Sequence, residues 1–191
     1  LDLIDVFGAQ ALRGNPLAVV HGAEGMSTEA MQALTRWLGY SETTFLLPPT
    51  DPAADYRVRI FYPAGELPFA GHPTLGTCHA WLAAGGMPKN ADRIVQECGV
   101  GLVEVRRDGE RLAFRAPPLI NGAKLTDAEL TETAALANVP LEATTDARHA
   151  ANGPHWRLLR LRSADDVLGA DPLPRAPVGT DNALVAAAAR G

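Results

Sequence analysis

Apolar and polar residues alternate in several short runs of this chain, and a two-residue period is typical of β-strands with one buried face. The clearest run is 55–61 (DYRVRIF), where Tyr56, Val58 and Ile60 share one face. The dipeptide Asp108-Gly109 indicates a tight hairpin between two later runs. The predicted strands are 1–7, 17–20, 41–47, 55–61, 93–97, 101–106, 111–115 and 156–162.

A helical period appears first in 27–38, where apolar residues recur at i, i+3 and i+7 from Met31. Ser27 or Thr28 is the expected N-cap, and Gly39 is the expected C-terminal stop. The segment 27–38 is therefore predicted to be an amphipathic helix.

Two segments of the last third of the chain also favour helix. The segment 126–138 opens with the capping-box sequence TDAE, which satisfies two free N–H groups at a helix start. The Ala-rich segment 182–190 has helical propensity. A strand is the alternative there, because Leu184 and Val185 follow a turn.

The stretch 66–76 (ELPFAGHPTLG) leads into the least polar helix predicted in the chain. Pro73 suits the first helical position, which makes His72 the expected N-cap, and Gly85-Gly86 ends the helix. A short helix that is apolar or small on all sides is normally buried, so we expect a central helix wrapped by other elements. Its N-terminal end, with Gly71 and His72, would suit an anion.

Composition narrows the class of protein. The chain has 191 residues, a net charge of −5 and no basic block, which argues against nucleic acid or an anionic membrane as a partner. It contains no apolar run of about 18 residues, and its start does not resemble a signal peptide. Cys78 and Cys98 form no CxxC pattern, so two free thiols in a reducing cytosol are expected.

Pro117-Pro118 is the predicted boundary between domains 1–117 and 118–191.

Glu42 and His72 are the candidates for chemistry, and each has two interpretations. Glu42 lies among apolar and hydroxyl residues in SETTF. From the residues alone an exposed strand-end carboxylate is favoured, and a partly buried general acid/base is the alternative. His72 is either a helix-cap or core histidine, or a site residue beside Gly71, where the missing side chain would let a ligand approach the backbone closely. Glu66 is expected to pair with a basic residue or cap a turn.

The remaining candidates are expected to be structural. Cys78 lies inside the apolar helix and is predicted to be a buried, inert thiol. His72 and His79 share a helix face without a third ligand, so no metal site is predicted. His149 and His155 flank a turn and are expected at the surface. No Walker A, GxGxxG or GxSxG pattern is present.

Three segments together resemble the PhzF family of phenazine-biosynthesis isomerases: DVFGAQALRGNPLAVV, GYSETTFLLPP and YRVRIFYPAGELPFAGHPTLGT. The similarity is strong over residues 2–118 and weaker beyond. The resemblance implies an α+β, diaminopimelate-epimerase-like fold with two similar domains, each a curved mixed sheet around a central helix, and an active site in the cleft between them. It places a strand at 183–189. It also implies that 118–191 is an incomplete second domain, because no D-P-A-T-G-S type motif is present.

The same resemblance implies the activity. It implies proton transfer without a cofactor, and in the family's phenazine enzyme the substrate is a dihydro-hydroxyanthranilate. Glu42 matches the catalytic glutamate that removes a proton from one carbon and returns it to another, while His72, Gly71 and Ser41 match substrate contacts. We therefore expect a cytoplasmic, homodimeric isomerase of a small carboxylated substrate. A non-catalytic binding remnant and an amino-acid epimerase or racemase are the alternatives.

Overall fold

An eight-stranded mixed sheet, with one helix on each face, forms the first of two units in this computed structural model. The structure describes residues 1–109, 111–171 and 183–186. Contacts divide the chain into Leu1–Pro117 and Pro118–Gly191. The elements of the first unit are β1 Asp2–Val6, β2 Asn15–Val20, α1 Thr28–Leu38, β3 Glu42–Leu47, β4 Tyr56–Tyr62, β5 Gly65–Leu67, α2 Gly71–Ala83, β6 Arg93–Cys98, β7 Gly101–Asp108 and β8 Arg111–Phe114.

The strands follow the order β1-β2-β3-β4-β6-β7-β8, with β5 paired to β4. The pairs β2–β3 and β4–β6 are parallel, and the other neighbours are antiparallel. Helix α2 contacts β1 and β8, the two ends of this order, as well as β2, β3 and β6. The sheet therefore curves around α2, and the predicted α+β fold with a wrapped central helix is confirmed.

Glycine at position 76 lets α2 approach the sheet closely. A Cβ added to Gly76 would lie 2.6 Å from Leu17 Cδ2 and 2.7 Å from Val6 Cγ2. Polar contacts also fix the helix, because Thr77 Oγ1 donates to Thr44 Oγ1 at 2.8 Å inside the core. Helix α2 is therefore held by both close packing and a buried hydrogen bond.

The start of α2 differs from the sequence prediction. Ala70, with extended φ and ψ of −152° and 142°, is the N-cap, so the prediction of His72 as the cap was wrong. The first turn closes when the Thr74 N–H donates to the Ala70 carbonyl at 3.2 Å. Pro73 becomes the third helical residue and is tolerated there, because N–H groups of the first turn need no intrahelical acceptor. His72 thus lies inside the helix.

The alternation predicted for β4 is confirmed, since Tyr56, Val58 and Ile60 are buried against the α2 side of the sheet. Phe61, on the opposite face, is also buried, because a second core with Phe45 lies under α1. The rings of Phe45 and Phe61 pack edge to face, with centroids 5.5 Å apart. Both faces of the sheet are therefore covered at β4.

Local signals correctly predicted several element ends. Ser27 caps α1 through the Ala30 N–H, and Gly39 ends α1 in the left-handed region at a φ of 74°. Gly109, with a φ of 62°, follows β7 as predicted for a hairpin to β8. The capping box of Thr126 and Glu129 is present in both directions. The backbone at Gly39 and Gly109 has a positive φ, a conformation that glycine adopts without steric cost.

The elements of the second unit are α3 Asp127–Ala137, a 3₁₀ turn Leu141–Ala143, β9 Thr144–Ala151, β10 His155–Leu161, α4 Ala164–Leu168 and β11 Ala183–Ala186. Its strands form a three-stranded sheet in the order β11-β10-β9. The prediction of helix for 182–190 was wrong at Ala183–Ala186, which form a strand parallel to β10, as the alternative prediction had it. Residues 182 and 187–190 lie outside the described residues. Strands β5 and β9 and helix α4 were not predicted.

No helix within the described residues is both long enough and apolar enough to cross a membrane.

Candidate active site

Glu42 is the first residue of β3, next to the start of β2, where it pairs in parallel register with Leu17. Its side chain is only 14% exposed. Within the described part of the chain, its Oε2 atom is buried and has no hydrogen-bond partner. The interpretation of Glu42 as an exposed strand-end residue is therefore wrong, and the partly buried carboxylate is what the structure shows.

His72 lies in the first turn of α2, with a side chain 10% exposed, and faces Glu42. The two side chains approach most closely between His72 Nε2 and Glu42 Oε2, at 3.4 Å. Among the described residues, Nε2 is also buried without a well-aligned hydrogen bond. Buried polar atoms are normally hydrogen-bonded, so an unpaired donor and acceptor side by side suit a substrate or a proton transfer.

Burial lowers the pKa of His72, and the nearby Glu42 carboxylate opposes this shift without cancelling it. The cause is desolvation, which disfavours the imidazolium form. At a given pH near this range, His72 therefore carries a proton less often than an ordinary histidine does. A neutral imidazole has one N–H donor and one acceptor nitrogen, so it can hydrogen-bond at both ends.

The other ring nitrogen of His72 contacts a residue that sequence reasoning did not select. Asn15, the first residue of β2, places its Nδ2 atom 3.2 Å from His72 Nδ1. Its Oδ1 atom accepts a hydrogen bond from Ser41 Oγ at 3.4 Å. The only sequence signal for Asn15 was its place in the segment DVFGAQALRGNPLAVV. The structure thus brings Asn15, Ser41, Glu42 and His72 together.

Gly71, the first residue of α2, presents the helix N-terminus beside His72. No side chain caps this end among the described residues, and its first turn contains no acidic residue. The backbone N–H groups here are available to an anion, which the helix dipole also favours. A Cβ added to Gly71 would lie 3.1 Å from Phe114 Cζ, so a larger residue fits poorly.

The residues expected to be structural lie apart from this cluster. Glu66 accepts two hydrogen bonds of 2.7 Å from Arg59, which confirms its predicted pairing with a basic residue. Cys78 is fully buried, as predicted, and burial raises the pKa of its thiol to about 11.

Three further histidines lie outside this cluster. His79 is exposed on α2, while His155 is exposed and His149 half-buried in the second unit. His149 Nε2 lies 3.4 Å from Glu129 Oε1. No group of three or more His, Cys, Asp or Glu residues in the described ranges could hold a metal ion.

Comparison with known proteins gives consistent results. The family model described as phenazine biosynthesis-like protein, PhzC-PhzF, matches residues 4–189. Antisense-enhancing sequence 1 of Schizosaccharomyces pombe is 39% identical over 88% of this chain and 60% of its own length. A trans-2,3-dihydro-3-hydroxyanthranilate isomerase of Pseudomonas fluorescens is 34% identical over 91% of this chain and 61% of its own length. The chain thus spans about 60% of the length of these relatives.

Solved structures share the fold. A predicted epimerase from Pseudomonas aeruginosa superimposes with a TM-score of 0.72 at 30% identity, covering 90% of this chain and 62% of its own. A probable proline racemase from Agrobacterium radiobacter has a TM-score of 0.53 at 15% identity, covering 86% of this chain and 52% of its own, which shows the fold alone. On the family match over residues 4–189, this chain belongs to the phenazine biosynthesis-like protein family, PhzC-PhzF.

Proposed function

We propose that this chain carries the acid/base half of an isomerase that moves a proton between two carbons of a small carboxylated substrate. The observation that carries the proposal is the buried pair of Glu42 Oε2 and His72 Nε2, 3.4 Å apart. The proposed reaction needs no cofactor, because the proton leaves and returns through one carboxylate. Relatives named trans-2,3-dihydro-3-hydroxyanthranilate isomerase support this reaction class.

Glu42 suits the role of the group that takes and returns the proton. Its buried Oε2 atom has no partner among the described residues, so it is free to accept a proton from a substrate carbon. The surroundings exclude most water, since the side chain is only slightly exposed. Positioned general acid/base catalysis contributes about 10²- to 10⁴-fold to a rate, and exclusion of water strengthens local electrostatic interactions.

His72, Gly71 and Ser41 suit substrate binding. The neutral imidazole of His72 can donate a hydrogen bond next to Glu42 and assist protonation. The N–H groups at the start of α2, beginning with Gly71, suit a substrate carboxylate. Ser41 directly precedes Glu42, and its hydroxyl lies within the same cluster through Asn15. The substrate is therefore proposed to bring its carboxylate to α2 and its reacting carbons to Glu42.

Replacing Glu42 by Gln tests this function, with trans-2,3-dihydro-3-hydroxyanthranilate as the first substrate and the intact protein as the enzyme. Glu24→Gln is the matched control, because Glu24 is exposed in the loop that follows β2. We expect Glu42→Gln to lower kcat by about 10²- to 10⁴-fold and Glu24→Gln to keep the wild-type rate. A wild-type protein that binds such carboxylates without converting them would instead favour a non-catalytic binding protein.

A further inference from the structure

The amide of Asn15 lies against the ring nitrogen of His72 that faces away from Glu42. We propose that Asn15 is a positioning residue that holds neutral His72 in the tautomer with its proton on Nε2, the nitrogen beside Glu42. This inference rests on the proposed function for its chemical meaning. The position of the proton on the His72 ring is a property of the protein alone, so it can be tested without substrate.

The two contacts of the imidazole favour the same tautomer. Asn15 Nδ2 lies 3.2 Å from His72 Nδ1, and an amide NH₂ group can only donate. Nδ1 must then carry the lone pair, which leaves the proton on Nε2. At the other end, Nε2 lies 3.4 Å from Glu42 Oε2, and an ionised carboxylate can only accept. A neutral ring with its lone pair on Nε2 would place two acceptors face to face.

The Asn15 amide also contacts Ser41. Ser41 Oγ lies 3.4 Å from Asn15 Oδ1. A hydroxyl can donate to that oxygen or accept from an NH₂ group, so the contact with the Glu42 carboxylate is what distinguishes the two orientations of the amide. Rotating the amide by half a turn would bring Oδ1 to His72 Nδ1 and require a proton there. That proton would come from Nε2 and leave the Glu42 carboxylate facing a lone pair. The contacts at Asn15, His72 and Glu42 therefore agree with a single orientation.

The backbone that carries Asn15 is held in place by Asp5. The Gly14 N–H donates to Asp5 Oδ1 at 2.8 Å, and the Arg13 N–H donates to Asp5 Oδ2 at 3.3 Å. Asn15 itself pairs with Val6 of β1 in antiparallel register. The segment is tightly packed, because a Cβ added to Gly14 would lie 2.2 Å from the Val6 carbonyl oxygen. Asn15 is thus presented to His72 by a closely fitted turn.

The tautomer assigns separate tasks to the two site residues. With a proton already on Nε2, neutral His72 cannot take a proton from Glu42 or from a substrate at that nitrogen. It can donate a hydrogen bond towards Glu42 and the space beside it. Glu42 is then the group that takes and returns the proton, and His72 is the hydrogen-bond donor of the pair. In histidines generally, the hydrogen bond at one ring nitrogen sets which nitrogen carries the proton.

The ring nitrogens of His72 report the tautomer directly in nitrogen-15 NMR spectra of the intact, labelled protein. Wild type is expected to show a protonated Nε2 and a bare Nδ1. Asn15→Asp replaces the donor by a carboxylate of the same shape, which can only accept, so a proton should appear on Nδ1. Among the described residues Glu42 is the charged group that acts on His72, so this variant places a second carboxylate on the ring.

Asn90→Asp is the control, because it makes the same substitution at an exposed position after α2. It should leave the His72 signals unchanged. His21, which contacts Asp2 through Nε2 at 2.8 Å, serves as a reference ring within each spectrum. Its signals should be the same in wild type and in both variants.

Activity gives a second readout. Asn15→Leu, which removes the amide, should lower kcat by roughly 10- to 100-fold, the range known for residues that orient metal-binding histidines. Its effect on KM should be smaller, and its His72 signals should show a mixture of tautomers.

The proposal is overturned if wild-type His72 carries its neutral-form proton on Nδ1, a result that needs no variant to fold. It is also overturned if Asn15→Asp leaves the ring signals unchanged. Failure of the proposed function looks different. In that case Glu42→Gln keeps its activity, while the tautomer result stands.

Discussion

His72 Nε2 lies 3.4 Å from Glu42 Oε2, although the two residues belong to different elements of the first unit. Glu42 opens β3 and His72 lies in the first turn of α2, so the sheet and the helix it wraps meet at this pair. Both atoms are buried without a partner among the described residues. Burial also lowers the pKa of His72 and so favours the neutral imidazole.

This lowered pKa predicts a pH dependence of stability. The ordinary pKa of histidine is 6.5, and His72 has a lower value in the fold. Below pH 6.5 the unfolded chain therefore binds a proton more readily than the folded one, so the free energy of unfolding falls as the pH drops from 6.5 through the folded pKa. Urea unfolding at a series of pH values measures this slope.

The variant His72→Gln removes the titrating ring and should flatten the slope in that window. His79→Gln is the matched control on the same helix, since His79 is exposed. It should retain the wild-type slope. An unchanged slope in His72→Gln would show that His72 is not the group responsible.

Gly71→Ala is predicted to weaken substrate binding. The new Cβ would lie 3.1 Å from Phe114 Cζ, closer than most real contacts, so the ring or the start of α2 must shift by a few tenths of an ångström. We expect KM to rise several-fold with a smaller change in kcat, because in the proposed site the N–H groups bind the carboxylate while Glu42 transfers the proton. Steady-state kinetics measures both constants.

Gly65→Ala serves as the control for this substitution, because its Cβ would make an ordinary contact of 3.7 Å with Tyr62. Its kinetics should match wild type. If Gly71→Ala also binds substrate normally, the start of α2 does not hold the carboxylate.

Gly76→Ala is predicted to destabilise the first unit. Its Cβ would lie 2.6 Å from Leu17 and 2.7 Å from Val6, both buried. Overpacking typically costs about 1–3 kcal/mol, which outweighs the gain of up to about 1 kcal/mol from replacing a helical glycine. Denaturant unfolding measures the loss. Adding Val6→Ala should restore part of it, and purely additive effects would contradict direct packing between the two positions.

Cys78 is predicted to resist alkylation in the folded protein. Burial raises the pKa of its thiol to about 11, so little reactive thiolate forms near neutral pH. Cys98 is half-buried, and burial also raises the pKa of its thiol. Mass spectrometry after iodoacetamide treatment should find Cys98 modified first and Cys78 only on unfolding. Native-state modification of Cys78 at the rate of a free thiol would contradict its burial.

Local signals in the sequence accounted for much of the first unit. The alternation in β4 and the caps of α1 depend on neighbouring residues only, so they were predicted correctly. Strand β11 is different, because its Ala-rich sequence favours helix locally, and pairing with β10 overrides that preference. Strand β9 (TTDARHAA) has few β-branched or aromatic residues and is likewise stabilised by pairing with β10.

The candidate site also depends on contacts between residues that are distant in the sequence. Glu42 was expected in a strand, yet its burial depends on α2, which follows later in the chain. The family resemblance pointed to Glu42, His72, Gly71 and Ser41, whose roles remain proposals. Asn15 escaped notice because a Gly-Asn-Pro turn is an ordinary local feature, and only the contact with His72 in the fold reveals it.

Deuterium incorporation tests the account most directly, because it follows the proton itself. Wild type and Glu42→Gln are incubated with trans-2,3-dihydro-3-hydroxyanthranilate in heavy water, at concentrations that give equal bound fractions, and substrate and product are analysed by mass spectrometry. The account predicts that wild type introduces deuterium at a reacting carbon and that Glu42→Gln introduces none above the uncatalysed level. Incorporation by Glu42→Gln at the wild-type rate would contradict the assignment of Glu42 as the acid/base.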